Sequence, residues 1–247
     1  MNLRNQLKSE GDWLFRHRGQ LPILLLIIAT PFILTTSYNY KSDIELTIID
    51  LVSLLFTVAG FVIRAQVVAT TPKGTSGRNI ECQIAEHLNT SGMYSCVRHP
   101  LYVANFLVWC GLMIYSVNIA LIVISICIFW MYYERIMYAE EQFLEKKFGD
   151  QFITWASRVP AFLPSSHHYT KPDTGFSLKT VLRREYSGWL SASISYLYID
   201  SLIFYKRYGK FGADKPVLIA FVLVASAALA LKAIKTYTSL LVEEDRS

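Results

Sequence analysis

Apolar runs recur along the chain at lengths suited to hydrocarbon. Leu21 to Tyr38 reads LPILLLIIATPFILTTSY with no charge, about what a helix rising 1.5 Å per residue needs to cross a bilayer. Glu45 to Thr70 has a short apolar centre, Leu51 to Ile63, which Val67, Val68 and Ala69 extend past Arg64. Leu101 to Ile114 and Ile119 to Tyr133 are two more runs, separated only by Tyr115 to Asn118, and Pro216 to Ala233 is apolar apart from Lys232. Trp189 to Tyr205 is weaker, because Asp200 interrupts it and Ser and Tyr dilute it. The pattern predicts an all-α, polytopic integral membrane protein with five or six transmembrane helices, Trp189–Tyr205 being the sixth or else a re-entrant or interfacial element.

Between the runs the pattern changes. In residues 1–20, Leu3, Leu7, Trp13, Leu14 and Phe15 lie among polar neighbours. This predicts an interfacial amphipathic helix with Trp13 at headgroup depth. With Glu10, Asp12 and four basic residues ahead of the first run and no small-x-small site after it, that run is expected to be a retained anchor rather than a cleaved leader. Residues 71–79 are turn-rich and 80–89 suggest a short helix. Tyr132 to Phe148 continues the helical pattern of the fourth run, and Gly149 can end it. Val159 to Pro164 reads VPAFLP, a proline-punctuated rim. Ser165 to Thr174 looks like a linker and Phe176 to Tyr186 like a surface helix. Three parts follow: an N-terminal segment 1–20, a membrane core 21–165 and a C-terminal extension 166–247.

Composition agrees with the pattern. Of 247 residues, 53% are hydrophobic and only 17% charged, and the mean hydropathy is +0.32. A disordered chain is excluded. The net charge of +5 suits anionic membrane lipids as partners. The basic residues are scattered over membrane-proximal loops, which gives no reason to expect a nucleic-acid partner. Arg4, Lys8, Arg16 and Arg18 predict a cytoplasmic N-terminus, and the basic stretches 73–98 and 139–186 fall on the same side. Lys206, Arg207, Lys210 and Lys215 strain that topology if all six runs cross. Cys82, Cys96, Cys110 and Cys127 have no zinc spacing or disulfide framework, and the His167–His168 pair reads as solvated, so no metal is expected.

Walker, G-x-G-x-x-G, H-E-x-x-H and G-x-S-x-G patterns are all absent. Two constellations carry the candidate chemistry. Gly92 to Tyr102 places Arg98 and His99 ahead of Pro100, which fits the first position of a helix. A fixed positive group, a titratable imidazole and the amides of that turn suit an anion. Glu140 and Glu141 form the second, on the helix leaving the fourth run, and adjacent residues there point about 100° apart. On spacing alone the first is equally a snorkelling basic cap and the second a charged interfacial face. Glu134, nearest the apolar run, is expected to pair with Arg135, Arg98 or Arg64.

In these residues the chain resembles the integral-membrane methyltransferases that include isoprenylcysteine carboxyl methyltransferase and the phospholipid N-methyltransferases. The resemblance runs over residues 50–165, through Gly92, Tyr94, Arg98, His99, Pro100 and Tyr102, then Glu140, Glu141, Phe148, Gly149, Phe152, Trp155, Val159, Pro160 and Pro164. The family often has Gly where this chain has Ala104, and Phe152 and Trp155 stand where hydroxyl-bearing Tyr is usual. The stretch 73–79 resembles a bacterial subgroup that includes an enzyme methylating a lipid A phosphate.

The resemblance implies methyl transfer from S-adenosylmethionine to a lipid or lipidated acceptor entering from the bilayer, in the inner membrane for a bacterial protein. His99 and nearby backbone would contact the methionine carboxylate, with Tyr94, Pro100 and Tyr102 lining the pocket. Glu140 or Glu141 would take the adenosine hydroxyls or the amino group, and Arg98 would organise that pocket or face the acceptor. Arg98, His99 and Glu141 are the candidate catalytic residues. A carboxylate or phosphate oxygen needs no general base, whereas an amine must first lose a proton, so an oxygen acceptor is favoured. The rivals are an amine N-methyltransferase, an NADPH-dependent sterol-type reductase with a similar Arg-His-Pro, and a membrane scaffold or transporter.

Overall fold

The computed structural model describes residues 2–38, 42–72 and 85–243. It is all-α over those residues, with eight α-helices: α1 (Leu3–Arg16), α2 (Leu21–Thr35), α3 (Asp43–Thr70), α4 (Pro100–Tyr115), α5 (Ile119–Phe148), α6 (Asp150–Ala156), α7 (Leu178–Tyr208) and α8 (Lys215–Tyr237). The expected loop at 71–79, beyond residues 71 and 72, and most of the short helix at 80–89 lie outside the described residues, as does Cys82. Residues 85–89 are not helical.

Five or six crossings do not survive. Among the described residues three helices are long and apolar enough to span a bilayer: α3, α5 and α8. The first run stops early, because the chain leaves α2 at Thr36 in an extended conformation. Its 15 residues reach about 22 Å, and the 16 of α4 about 24 Å, against roughly 30 Å of hydrocarbon. Both are short apolar helices; α4 is held inside the bundle, while α2 keeps Ile23, Leu24 and Ile27 exposed along one face. Phe176–Tyr186 and Trp189–Tyr205 are not separate elements; they merge into α7, a helix of 31 residues. Its length suffices, but Lys179, Arg183, Arg184 and Glu185 near one end, Asp200 within, and Lys206 and Arg207 at the other leave no long apolar stretch.

Apolar side chains on the outer faces of α3 and α8 stay uncovered, Leu51, Leu55, Ile219 and Leu223 among them. This is the pattern of helices whose solvent is lipid: the molecule is an integral membrane protein.

Polar contacts between helices fix the bundle. Ser53 and Thr57 of α3 both reach the Tyr196 hydroxyl of α7, at 2.7 and 2.8 Å, and the Ser53 hydroxyl donates to the Gly111 carbonyl of α4 at 2.8 Å. Gly111 is required there, since a Cβ would lie 2.2 Å from Thr57 Oγ1. At the far end of α7, Asp200 accepts from the Tyr115 hydroxyl and from the Asp214 amide, each at 2.7 Å, and so ties the α7–α8 turn to α4.

The N-terminal helix packs on the far half of α5 through Phe15 and Leu14, and the Tyr132 hydroxyl donates to the Leu14 carbonyl at 3.0 Å. Arg135 pairs with Glu10 at 2.7 Å. Trp13 stays outward. Thus α1 buttresses the helix that carries Glu140 and Glu141. An aromatic cluster of Phe15, Trp109, Phe129, Tyr132 and Tyr133, with Tyr102, Phe106 and Phe162 against it, fills the space beneath them.

Candidate active site

Pro100 opens α4 at its first position, with His99 as N-cap. The His99 carbonyl accepts from the amides of Tyr102 and Val103. That places the Arg98 and His99 side chains at the mouth of α4. Opposite stands α5, which runs unbroken from Ile119 to Phe148 and ends where Gly149 turns the chain at φ 52°, a conformation L side chains rarely adopt.

Two residues of α4's mouth and two of α5 meet in one knot. Arg98 donates to both oxygens of Glu141, from Nε at 2.8 Å and Nη2 at 3.3 Å. The His99 ring spans the two carboxylates: Nε2 lies 2.9 Å from Glu141 Oε1, and Nδ1 3.4 Å from Glu140 Oε2. Glu140 also accepts from the Tyr102 hydroxyl at 3.0 Å, and the Tyr102 ring stacks on His99 with centroids 5.4 Å apart. The carboxylates diverge, as neighbours on a helix must, yet one imidazole between them engages both.

Arg98 has a second task. Its Nη1 donates to the carbonyls of Ala156 and Val159, at 2.7 and 2.9 Å. The Arg98 and His99 amides donate to Pro160 and Ala161. The rim 159–164 is therefore stitched to the motif, and Ser165 N reaches the Cys96 carbonyl. With four of its five N–H donors spent internally, Arg98 holds the site's shape and has little left for an anion.

Tyr94 sits in a 3₁₀ turn over Gly92–Ser95, and its carbonyl accepts from the Trp155 indole at 3.1 Å. Trp155 therefore has a use for its N–H where a Tyr was expected. Burial, and then the charge of Glu140, hold the Tyr94 phenol above its ordinary range, so it stays a neutral donor. His99 feels opposing influences. Burial disfavours its charged form, but the hydrogen bonds and charges of Glu140 and Glu141 outweigh it, and the net shift is upward.

The structure thus brings together Tyr94, Arg98, His99, Pro100, Tyr102, Glu140 and Glu141. It does not bring in Glu134, which is exposed, while Arg98, Arg64 and Arg135 pair with Glu141, Glu185 and Glu10. Glu134 lies just past the apolar run Ile119–Tyr133, and each of the three arginines expected to pair with it is taken by another glutamate. Three residues linked to the site were not singled out from sequence: Tyr133 against Tyr102, and Asn105 and Glu185 behind it. Arg64 inside an apolar run was the available signal, because a guanidinium there must find a carboxylate.

Residues 49–151 match the model of the phospholipid methyltransferase family, a segment that holds the whole Arg98–His99–Glu140–Glu141 knot. Over that segment the chain is similar to this family. The chain is 34% identical over 111 residues to protein-S-isoprenylcysteine O-methyltransferase B of Arabidopsis thaliana, covering 42% of this chain and 55% of that one. Similarity of 37% over 87 residues links it to the cobalt-zinc-cadmium resistance protein CzcN of Cupriavidus metallidurans, over 35% of this chain and 40% of that one. A probable protein-S-isoprenylcysteine O-methyltransferase of Oryza sativa subsp. indica is 26% identical over 162 residues, 61% of this chain and 84% of that one. The matched part spans about half the length, or less, of the first two relatives. No solved structure matches the chain.

Proposed function

We propose that the protein transfers a methyl group from S-adenosylmethionine to a carboxylate or phosphate oxygen of a membrane-embedded lipid or lipidated acceptor. The observation that carries this reading is the knot itself: two carboxylates on successive residues of α5, held by one imidazole and one guanidinium, at the mouth of an apolar hairpin. The match to the phospholipid methyltransferase family over residues 49–151 supports the same chemistry.

The side chains present suit that cofactor. Glu140 and Glu141 remain 30% and 23% exposed, so their free lone pairs are open to the hydroxyl and ammonium donors of the cofactor. Neutral Tyr94 and Tyr102 and the His99 ring provide aromatic and donor surface beside them. When bound, S-adenosylmethionine supplies an activated methyl group on a sulfonium. The residues' work is then to bind, orient and exclude water. Glu140 would take the hydroxyls, Glu141 and the backbone near Pro100 would fix the amino-acid end, and His99, with both ring nitrogens on the two carboxylates, would hold them in place. Arg98 keeps the rim in place.

The acceptor follows from the imidazole. A histidine whose pKa is raised by two carboxylates keeps its proton and makes a poor base for an alkylammonium. An oxygen anion needs no such base. The headgroup approaches from the bilayer side of the α4–α5 hairpin, past Phe106 and Phe162, and the cofactor from the basic, cytoplasmic face.

Calorimetric binding of S-adenosylhomocysteine to the detergent-purified protein tests the cofactor, beside His99→Ala and Glu141→Ala. Micromolar binding lost in both variants is expected. A folded wild type that binds none would overturn the reading and turn attention to NADPH. Transfer of labelled methyl to extracted lipids then reads the acceptor: an alkali-stable N-methyl product would refute the oxygen assignment.

A further inference from the structure

Outside the knot two carboxylates of α7 are almost wholly buried, Glu185 and Asp200, each 2% exposed, and Glu185 is the one paired with an arginine. It belongs to the C-terminal extension, beyond the family segment 49–151. Arg64 of α3 donates to both of its oxygens, from Nε at 2.6 Å and Nη2 at 3.1 Å. The third face of that guanidinium is used as well: Nη1 donates to Asn105 Oδ1 of α4 at 2.5 Å. The Asn105 amide then donates to the Tyr133 hydroxyl of α5 at 3.0 Å. Tyr133 packs on Tyr102 with ring centroids 4.8 Å apart, and Tyr102 is the residue whose hydroxyl meets Glu140 and whose ring stacks on His99.

The chain of contacts has a direction. Asn105 accepts from Arg64 with its oxygen, so its nitrogen must face Tyr133, and the Tyr133 hydroxyl must accept. Each link fixes the orientation of the next. A carboxylate on α7 therefore determines how a tyrosine ring on α5 is turned, and that ring is the floor beneath Tyr102. The start of α7 is itself clamped, since Ser177 and Thr180 donate to the Glu243 carboxylate from beyond α8, the latter at 3.1 Å. An acid at a helix N-terminus also suits the helix dipole.

We infer that Glu185 is a positioning residue for the proposed cofactor site: through Arg64, Asn105 and Tyr133 it holds Tyr102 against Glu140 and His99. The C-terminal extension thereby completes a site whose direct contacts all lie before it. This assignment rests on the proposed function for its consequence, the binding of an adenosine cofactor, but the side-chain order it predicts exists without any ligand.

The experiment uses the full-length protein in detergent, with Tyr102 replaced by meta-fluorotyrosine. The fluorine line of the ligand-free protein is recorded beside the affinity for S-adenosylhomocysteine and the melting temperature. Glu185→Gln removes the charge, and Arg64→Met with Glu185→Met removes the pair at similar volume, a change that buried ion pairs often tolerate without loss of stability. Ser191→Ala, an exposed position on the same helix, is the control. The expected result is a broadened or doubled Tyr102 line and roughly tenfold weaker binding in both altered proteins, the double variant melting within a few degrees of wild type. An unchanged line and affinity in the folded double variant would overturn the inference and leave the proposed function standing. A changed line in a protein whose wild type binds no S-adenosylhomocysteine would sink the function and leave the positioning role intact.

Discussion

Two arginine–glutamate pairs sit in this molecule in the same bidentate arrangement, and they differ in nearly everything else. Arg98–Glu141 joins the mouth of α4 to α5, with side chains 16% and 23% exposed. Its spare donors go to backbone carbonyls of the rim. Arg64–Glu185 joins α3 to α7 across 121 positions, with Glu185 sealed at 2%, and its spare donor goes to an amide side chain that passes the order onward. The first pair anchors loop to helix at the proposed cofactor site. The second anchors helix to helix away from it. One geometry thus serves two ends, decided by where the leftover donors point.

Removing a carboxylate separates the pairs most sharply. Glu141→Ala deprives Arg98 and His99 together, and S-adenosylhomocysteine affinity is expected to fall by roughly a hundredfold or more, with about 3 kcal/mol of stability lost. Calorimetry and chemical unfolding read the two effects, and an affinity within threefold of wild type would show that the knot is not the binding site.

Glu185→Ala leaves Arg64 buried without its anion, a loss of about 3 kcal/mol with a smaller fall in affinity. Arg64→Met with Glu185→Met should recover that stability to within about 1 kcal/mol. Failure to recover would mean that the charge pair itself, rather than its shape, supports α7.

Gly111→Val forces α3 from α4, since a Cβ already lies 2.6 Å from the Ser53 carbonyl. A cost of about 2 kcal/mol is expected. The change strains the same α3–α4 contact that carries Arg64 to Asn105, so affinity should drop further than in a variant of equal instability on α8. Equal drops would dissolve the distinction between the two pairs.

The smallest effect is that of pH on the first pair. His99 has a folded-state pKa raised above its ordinary 6.5, so its stabilising contribution is complete below that value and fades as pH rises through the raised one. Unfolding of wild type against His99→Gln between pH 5 and 9 should show a gap of about 1 kcal/mol or less, widest at the acid end. A gap that widens toward alkaline pH would mean that the imidazole is held neutral.

The residues of the first pair were legible in the sequence, in short motifs at the two ends of one hairpin, but not their pairing, since on sequence alone Arg98 serves equally as a partner of Glu134. Pro100 marks where α4 begins, Gly149 where α5 ends, and the helix between brings Glu140 and Glu141 back to Arg98 and His99. The second pair was not legible. Nothing local to Glu185 says that it turns inward, and the helix bearing it was read as two elements, because the Ser and Tyr residues between Trp189 and Tyr205 dilute its apolar signal. Those residues are polar for a reason visible only in three dimensions: Tyr196 and Tyr198 bond to Ser53, Thr57 and Thr30 on neighbouring helices. The number of crossings was overcounted for a related reason. Apolar composition marks α2 and α4 as buried in hydrocarbon or protein alike, and only their lengths, cut at Thr36 and Tyr115, tell the two apart.

The imidazole lodged between successive residues of α5 also acts as an angular key. A helix that rolled about its own axis would exchange one carboxylate for the other and release both, so His99 sets the azimuth of α5 as a pin sets a dial. Adding a single residue anywhere between Asn118 and Glu140 would swing the two acids by about 100° and lift the key from its slot. The lipid-facing part of α5 is therefore free in composition but fixed in count.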